Sequence, residues 1–154
     1  MSSGATIYSC AIEKLKRMYT LVWQNMCKNG IIDTKGELVM TVQEFYIEVG
    51  GNLEDLLDRI PDEDLIISFL DMYLKSPEFN NMIQAYNERD YKMLFESSHA
   101  LKGMAANMSL DRNFETIASI CEAVRHGEPN VDISDLIKKA TSEHHKLEEL
   151  FAKL

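Results

Sequence analysis

The chain reads as an all-α protein, an antiparallel four-helix bundle with an additional N-terminal helix. Three observations predict this class. Apolar residues recur at steps of three and four through nearly every segment, capping residues and polar turns separate those segments, and no segment shows the two-residue alternation of a half-buried strand. Short connections between long amphipathic helices favour antiparallel neighbours. The length of 154 residues, with 45% hydrophobic and 27% charged side chains, suits a full core in an ordinary globular chain.

Taken in order, Ile12, Leu15, Tyr19, Val22, Trp23 and Met26 predict an amphipathic helix over about residues 5–29, ending at Asn29-Gly30. A linker follows, so residues 1–39 form an extension and residues 40–154 the bundle. Thr41 and Glu44 have the spacing of a capping box before Phe45, Tyr46 and Val49, and Gly50-Gly51 stops that short helix. Asn52 caps the next one, which reaches Ile60. Asp62 opens a helix through Leu65, Ile66, Phe69, Leu70, Tyr73 and Leu74, with acids in the turn where the helix dipole favours them. Ser76-Pro77 kinks or restarts it, since proline suits a first turn and breaks an interior one. Phe79, Met82, Ile83 and Tyr86 continue the apolar face. Asp90 caps a helix to about Met108, Asp111 caps one through Phe114, Ile117, Ala118, Cys121 and Val124, and Ser134 begins the last, through Leu136, Ile137, Leu147, Leu150 and Phe151.

A formal charge of -9 excludes a sequence-independent grip on nucleic acid, which needs clustered cations to replace phosphate counterions. Cys10, Cys27 and Cys121 are odd in number and lack zinc-site spacing, as in a reducing, cytoplasmic environment. No apolar run has the length of a membrane span, and Glu13, Lys14, Lys16 and Arg17 interrupt the N-terminal segment unlike a signal peptide.

The most informative stretch is Ser98-His99-Ala100-Leu101-Lys102-Gly103. At about 100° per residue, Lys92, Glu96, His99, Lys102, Gly103 and Ala106 share one stripe, while Leu94, Leu101, Ala105 and Met108 gather opposite. His99 is therefore expected to face water. A glycine inside a helix costs about 1 kcal/mol relative to alanine, so an outward Gly103 implies close approach by another molecule. An unperturbed imidazole titrates near pH 6.5, so an exposed one is mostly neutral in the cell, with a lone pair for nucleophilic attack. Lys102, one turn on, can hold the oxygens of an incoming phosphoryl group.

The run His99 to Leu110, HALKGMAANMSL, resembles the signature of bacterial histidine phosphotransfer (HPt) domains, in which H-x-L-K-G precedes small residues and a glycine. The resemblance extends from about Thr41 to Leu154, roughly three quarters of the chain, through the Asp-Glu-Asp-Leu opening, the Phe-Leu-x-x-Tyr-Leu run and Cys-Glu-Ala-Val-Arg. It implies a four-helix bundle whose phosphate-accepting histidine corresponds to His99. The partners so implied are response-regulator receiver domains and a hybrid sensor histidine kinase, with magnesium carried by the receiver and no cofactor on this chain. Ser109 stands where the family usually has its second glycine, and Met104 where a small residue is common; both bear on partner specificity. Phe95, nearly in line with His99, is read as an apolar anchor or as a shielded ring, and Lys92 and Arg112 as a positive rim.

Other groupings predict less. His144 and Glu148 have i, i+4 spacing, but no second ligand pair is evident, and no metal site is expected. His126 suits the negative end of a helix dipole, and Cys121 reads as an unreactive core thiol. The 5–29 helix either covers an apolar groove or serves docking or dimerisation through Trp23, the protein being otherwise monomeric. No glycine-rich nucleotide loop is present, so a phosphocarrier without kinase activity is expected. The alternatives are an adaptor that binds a receiver without carrying phosphate, and a metal or cofactor bundle.

Overall fold

The computed structural model describes residues 17–22 and 39–154, and the chain divides into two compact units, Met1–Met40 and Thr41–Leu154. In the first unit residues 17–22 are helical, with Met18, Tyr19, Leu21 and Val22 exposed. Trp23, Cys10, Cys27 and the remainder of the expected 5–29 helix lie outside the described residues.

The second unit contains α1 (Val42–Val49), α2 (Leu53–Arg59), α3 (Glu63–Lys75), α4 (Glu78–Glu88), α5 (Tyr91–Asn107), α6 (Asp111–Ala123) and α7 (Ser134–Phe151). There is no strand among the described residues, and no described helix is long and apolar enough to cross a membrane. Helix α5 packs against α4 and α6, while α7 packs on α6 and meets α1 and α3.

Local chemistry sets most boundaries. Thr41 Oγ1 accepts the Glu44 N–H at 3.2 Å, and the Thr41 N–H donates to Glu44 Oε2 at 2.9 Å, closing the capping box. The Thr41 backbone bond holds the Glu44 carboxyl below its ordinary range. Gly50 takes the left-handed conformation, φ 71°, that ends α1. Asn52, Asp62 and Asp90 cap α2, α3 and α5 by accepting backbone N–H bonds. Pro77 restarts the chain as α4. Two starts differ from the sequence reading. Leu110, not Asp111, precedes α6, and Asp111 is its first helical residue, where a carboxylate still favours the dipole without capping. At α7 Ser134 is the first residue as expected, but Asp132 satisfies its N–H at 2.8 Å and its hydroxyl at 3.0 Å.

The core is built from Phe45, Leu56, Ile66, Leu70, Met82, Leu94, Leu101, Ile117, Ile120 and Leu147, all buried. Each such side chain contributes about 1.5–3 kcal/mol on leaving water. Asn113, Thr116 and His144 are buried with them, and Tyr73 donates its hydroxyl hydrogen bond to Asn113 Oδ1. The apolar stripe of α3 is less inward than its spacing predicts. Leu65 and Phe69 remain 48% and 39% exposed, and Phe69 and Met72 line an apolar groove of about 360 Å³ with Ile60, Met104 and Met108.

The α5–α6 turn is held by α1, α2 and the link between them. Ser109 has φ 48°, a conformation that costs a non-glycine residue about 1–2 kcal/mol. Its Oγ donates to Asp55 Oδ2 at 2.6 Å and accepts from Arg59 Nη2 at 2.5 Å, while Arg59 Nη1 also reaches the Asn107 carbonyl at 2.9 Å. The Ser109 and Arg59 bonds hold the Asp55 carboxyl below its usual range. Tyr46 donates to the Met108 carbonyl at 2.9 Å, and the Asn52 N–H to that of Ser109 at 2.8 Å. Gly51 permits this approach, since a Cβ there would sit 2.7 Å from the Ser109 carbonyl oxygen. The Ser109 side-chain bonds thus offset its backbone cost.

Candidate functional site

Helix α5 presents the two faces that its periodicity predicts. Leu94, Leu101, Ala105 and the adjoining Met108 are buried, whereas Lys92, Glu96, His99, Gly103 and Ala106 are exposed and Lys102 is half-buried. Buried Ser97 and Ser98 keep the inward side thin beneath His99, and Ser98 Oγ donates to the Phe95 carbonyl at 3.1 Å. A Cβ at Gly103 would meet no atom of the described residues within 4 Å, so among them nothing covers the backbone beside His99 and Lys102. Phe95 is half-buried, its ring centroid 5.7 Å from that of His99 and tilted by 34°.

Helix α6 supplies the rest of the site. A hairpin turning near Ser109-Leu110 brings position 121 back to the level of position 99, and Cys121 Sγ lies 4.0 Å from His99 Nδ1. Cys121 is wholly buried, as expected, but it is also a neighbour of the key histidine. The next residue, Glu122, accepts a two-pronged bond from Arg125 at 2.7–3.0 Å. That bond is the main cause of a lowered Glu122 pKa, with the nearby charges of His126 and Lys102 acting the same way. Glu122 is thus paired with Arg125 and feels the charge of Lys102.

The fold separates some of the residues grouped by the sequence. Lys92 is exposed two turns before His99 and 4.0 Å from Glu96, so it remains on the same face. Arg112 is not brought to His99. It lies nine residues before Cys121 along α6, about 13 Å of helix rise, and its guanidinium rests over Gly50. Sequence reasoning passed over Cys121, Glu122 and Arg125 as site residues, although counting equal distances from a turn at about residue 110 would have paired 99 with 121.

The last-helix pair has a different character. His144 is buried, with its ring stacked on Phe79 at 3.8 Å and 4°, and its Nε2 is 3.7 Å from Glu148 Oε1. Among the described residues no group of three or more His, Cys, Asp or Glu side chains is placed to hold a metal ion. No known family, curated protein or solved structure matches the chain. What the geometry offers chemically is an accessible imidazole, a neighbouring ammonium and an unobstructed approach over a glycine.

Proposed function

We propose that this chain is a histidine phosphotransfer protein, relaying a phosphoryl group between receiver-domain aspartates through His99. The observation that carries the reading is the open surface over Gly103, one turn from an exposed His99 on a helix whose opposite face is core. A receiver can bring its acyl phosphate against such a surface without meeting a side chain. A ring nitrogen of His99 attacks phosphorus, the N–P bond forms, and the bond from phosphorus to the aspartyl oxygen breaks, its electron pair remaining on the carboxylate. The reverse sequence loads the next receiver. Lys102 holds the phosphoryl oxygens during in-line transfer, and Phe95, Ala106 and Lys92 contribute to the docking face. The receiver carries the magnesium, and a hybrid sensor kinase is the upstream donor.

In this reading α4, α5, α6 and α7 are the four members of an antiparallel bundle. The packing of α4 on α5, α5 on α6 and α6 on α7 supports that arrangement, as does the Phe79–His144 stack between the first and last members. The test mixes the full chain with a phosphorylated receiver and follows acid-labile phosphate. The wild type is expected to take up phosphate and His99→Gln to take up none. Binding of the receiver without uptake would identify the chain as an adaptor, and uptake by His99→Gln would move the site to another residue.

A further inference from the structure

Resting on that reading, we propose that Cys121 is a positioning residue that holds His99 in its Nδ1–H tautomer and so reserves Nε2 for the phosphoryl group. Among the described residues, Cys121 Sγ is the one hydrogen-bonding contact of the His99 ring, at 4.0 Å from Nδ1 and at the outer edge of a bond to sulfur. Cys121 is itself fully buried, so Nδ1 is turned toward the wall formed by α6. Phe95 lies beside the imidazole from the preceding turn, its ring tilted by 34°.

The contact has two polarities with opposite consequences. If the thiol S–H donates to Nδ1, the ring proton resides on Nε2, and that nitrogen has no lone pair for phosphorus. If Nδ1–H donates to sulfur, Nε2 keeps its lone pair. The transfer step selects the second polarity. As the Nε2–P bond forms and the aspartyl P–O bond breaks, the proton stays on Nδ1, and the phosphorylated ring must still present an N–H toward α6. Sulfur accepts that hydrogen in both states, so neither loading nor unloading requires a ring flip or a proton loss. The other polarity requires both ring and thiol to rearrange at each transfer.

The experiment measures ring ¹⁵N shifts of His99 in the full chain at about pH 8, where an ordinary imidazole is neutral. The wild type is expected in the Nδ1–H form. Cys121→Ala and Cys121→Val, the latter preserving bulk without an acceptor, are expected to move the population toward Nε2–H. Loss of a bond contributing about 1 kcal/mol should slow initial phosphate uptake about fivefold in both variants. An unchanged tautomer in a folded Cys121→Val, or an Nε2–H wild type, overturns the role while phosphate uptake leaves the carrier reading standing. A tautomer shift with no uptake by any variant overturns the carrier reading, and the positioning role falls with it.

Discussion

His99 and His144 are both helical histidines, and the fold treats them oppositely. The His99 ring lies at the surface of α5 with one nitrogen against Cys121, whereas the His144 ring is sandwiched into the core on Phe79, with Nδ1 buried and unpaired. Burial lowers the His144 pKa despite the opposing charge of Glu148. Its neighbour Glu143 is shifted the other way, with burial raising its carboxyl and Thr116 only partly offsetting that. The contrast shows that a histidine's task follows from which helix covers it. His99 is left uncovered and can meet a partner, while His144 serves as an aromatic core side chain that resists charging.

Exchanging the two residues for alanine tests that contrast most strongly. His144→Ala is expected to cost about 3 kcal/mol, from the lost stack and the cavity it leaves, without altering the site chemistry. His99→Ala is expected to leave chemical denaturation unchanged within about 0.5 kcal/mol. Equal losses in the two variants would show that the exposed and buried assignments do not separate function from folding.

The next effect concerns the turn that supports α5. Ser109→Ala keeps the left-handed backbone and removes the bonds to Asp55 and Arg59, so a loss of about 2 kcal/mol is expected in urea unfolding. Ser109→Gly relieves the backbone while losing the same bonds and is expected to lie within about 1 kcal/mol of wild type. If alanine were tolerated better than glycine, the account of this turn would be wrong.

At the exposed site, Lys102→Ala is expected to slow phosphate uptake about tenfold, a barrier increase of about 1.4 kcal/mol, with the fold intact. An unchanged single-turnover rate would remove the lysine from the transition state. Arg112→Ala provides the contrasting control, since its guanidinium packs by Gly50 and its loss should leave that rate alone.

The smallest effect is a pH dependence. Because folding lowers the His144 pKa, the unfolded chain binds the proton first as pH falls through about 6.5, so the native state loses stability on that side. Glu143 acts in the opposite direction, because its raised folded pKa favours the native state at low pH and disfavours it as pH rises above the ordinary carboxylate value. His144→Phe preserves an aromatic ring on Phe79 and removes the titration. Stability curves of wild type and His144→Phe should therefore diverge below about pH 6.5, and parallel curves would exclude His144 as the source.

Much of this was legible in the linear chain. The three- and four-residue spacing of Leu94, Leu101, Ala105 and Met108 assigns the inward face of α5 and hence the outward one of His99. Thr41, Glu44, Asn52, Asp62 and Asp90 mark their helix starts because a cap acts on backbone groups two or three residues away. The placement of His144 was also available in principle, since Ile137, Ala140, His144 and Leu147 form one stripe, but its polar side chain disguised a core position. The outward rotation of Leu65 and Phe69 was not available, because α3 is amphipathic by spacing alone and its neighbours decide how much of that stripe they cover.

By itself, then, the sequence determined the helices of residues 41–154, most of their caps and the outward stripe of His99, Lys102 and Gly103, all of which depend on interactions within one or two turns. Only the tertiary structure decided that Cys121 would meet His99 and that Glu122, paired with Arg125, would feel the charge of Lys102, while Arg112 would rest at Gly50. Those neighbours follow from the register of one helix on another, which the α5–α6 turn and the packing of α6 set together, and no local pattern records it.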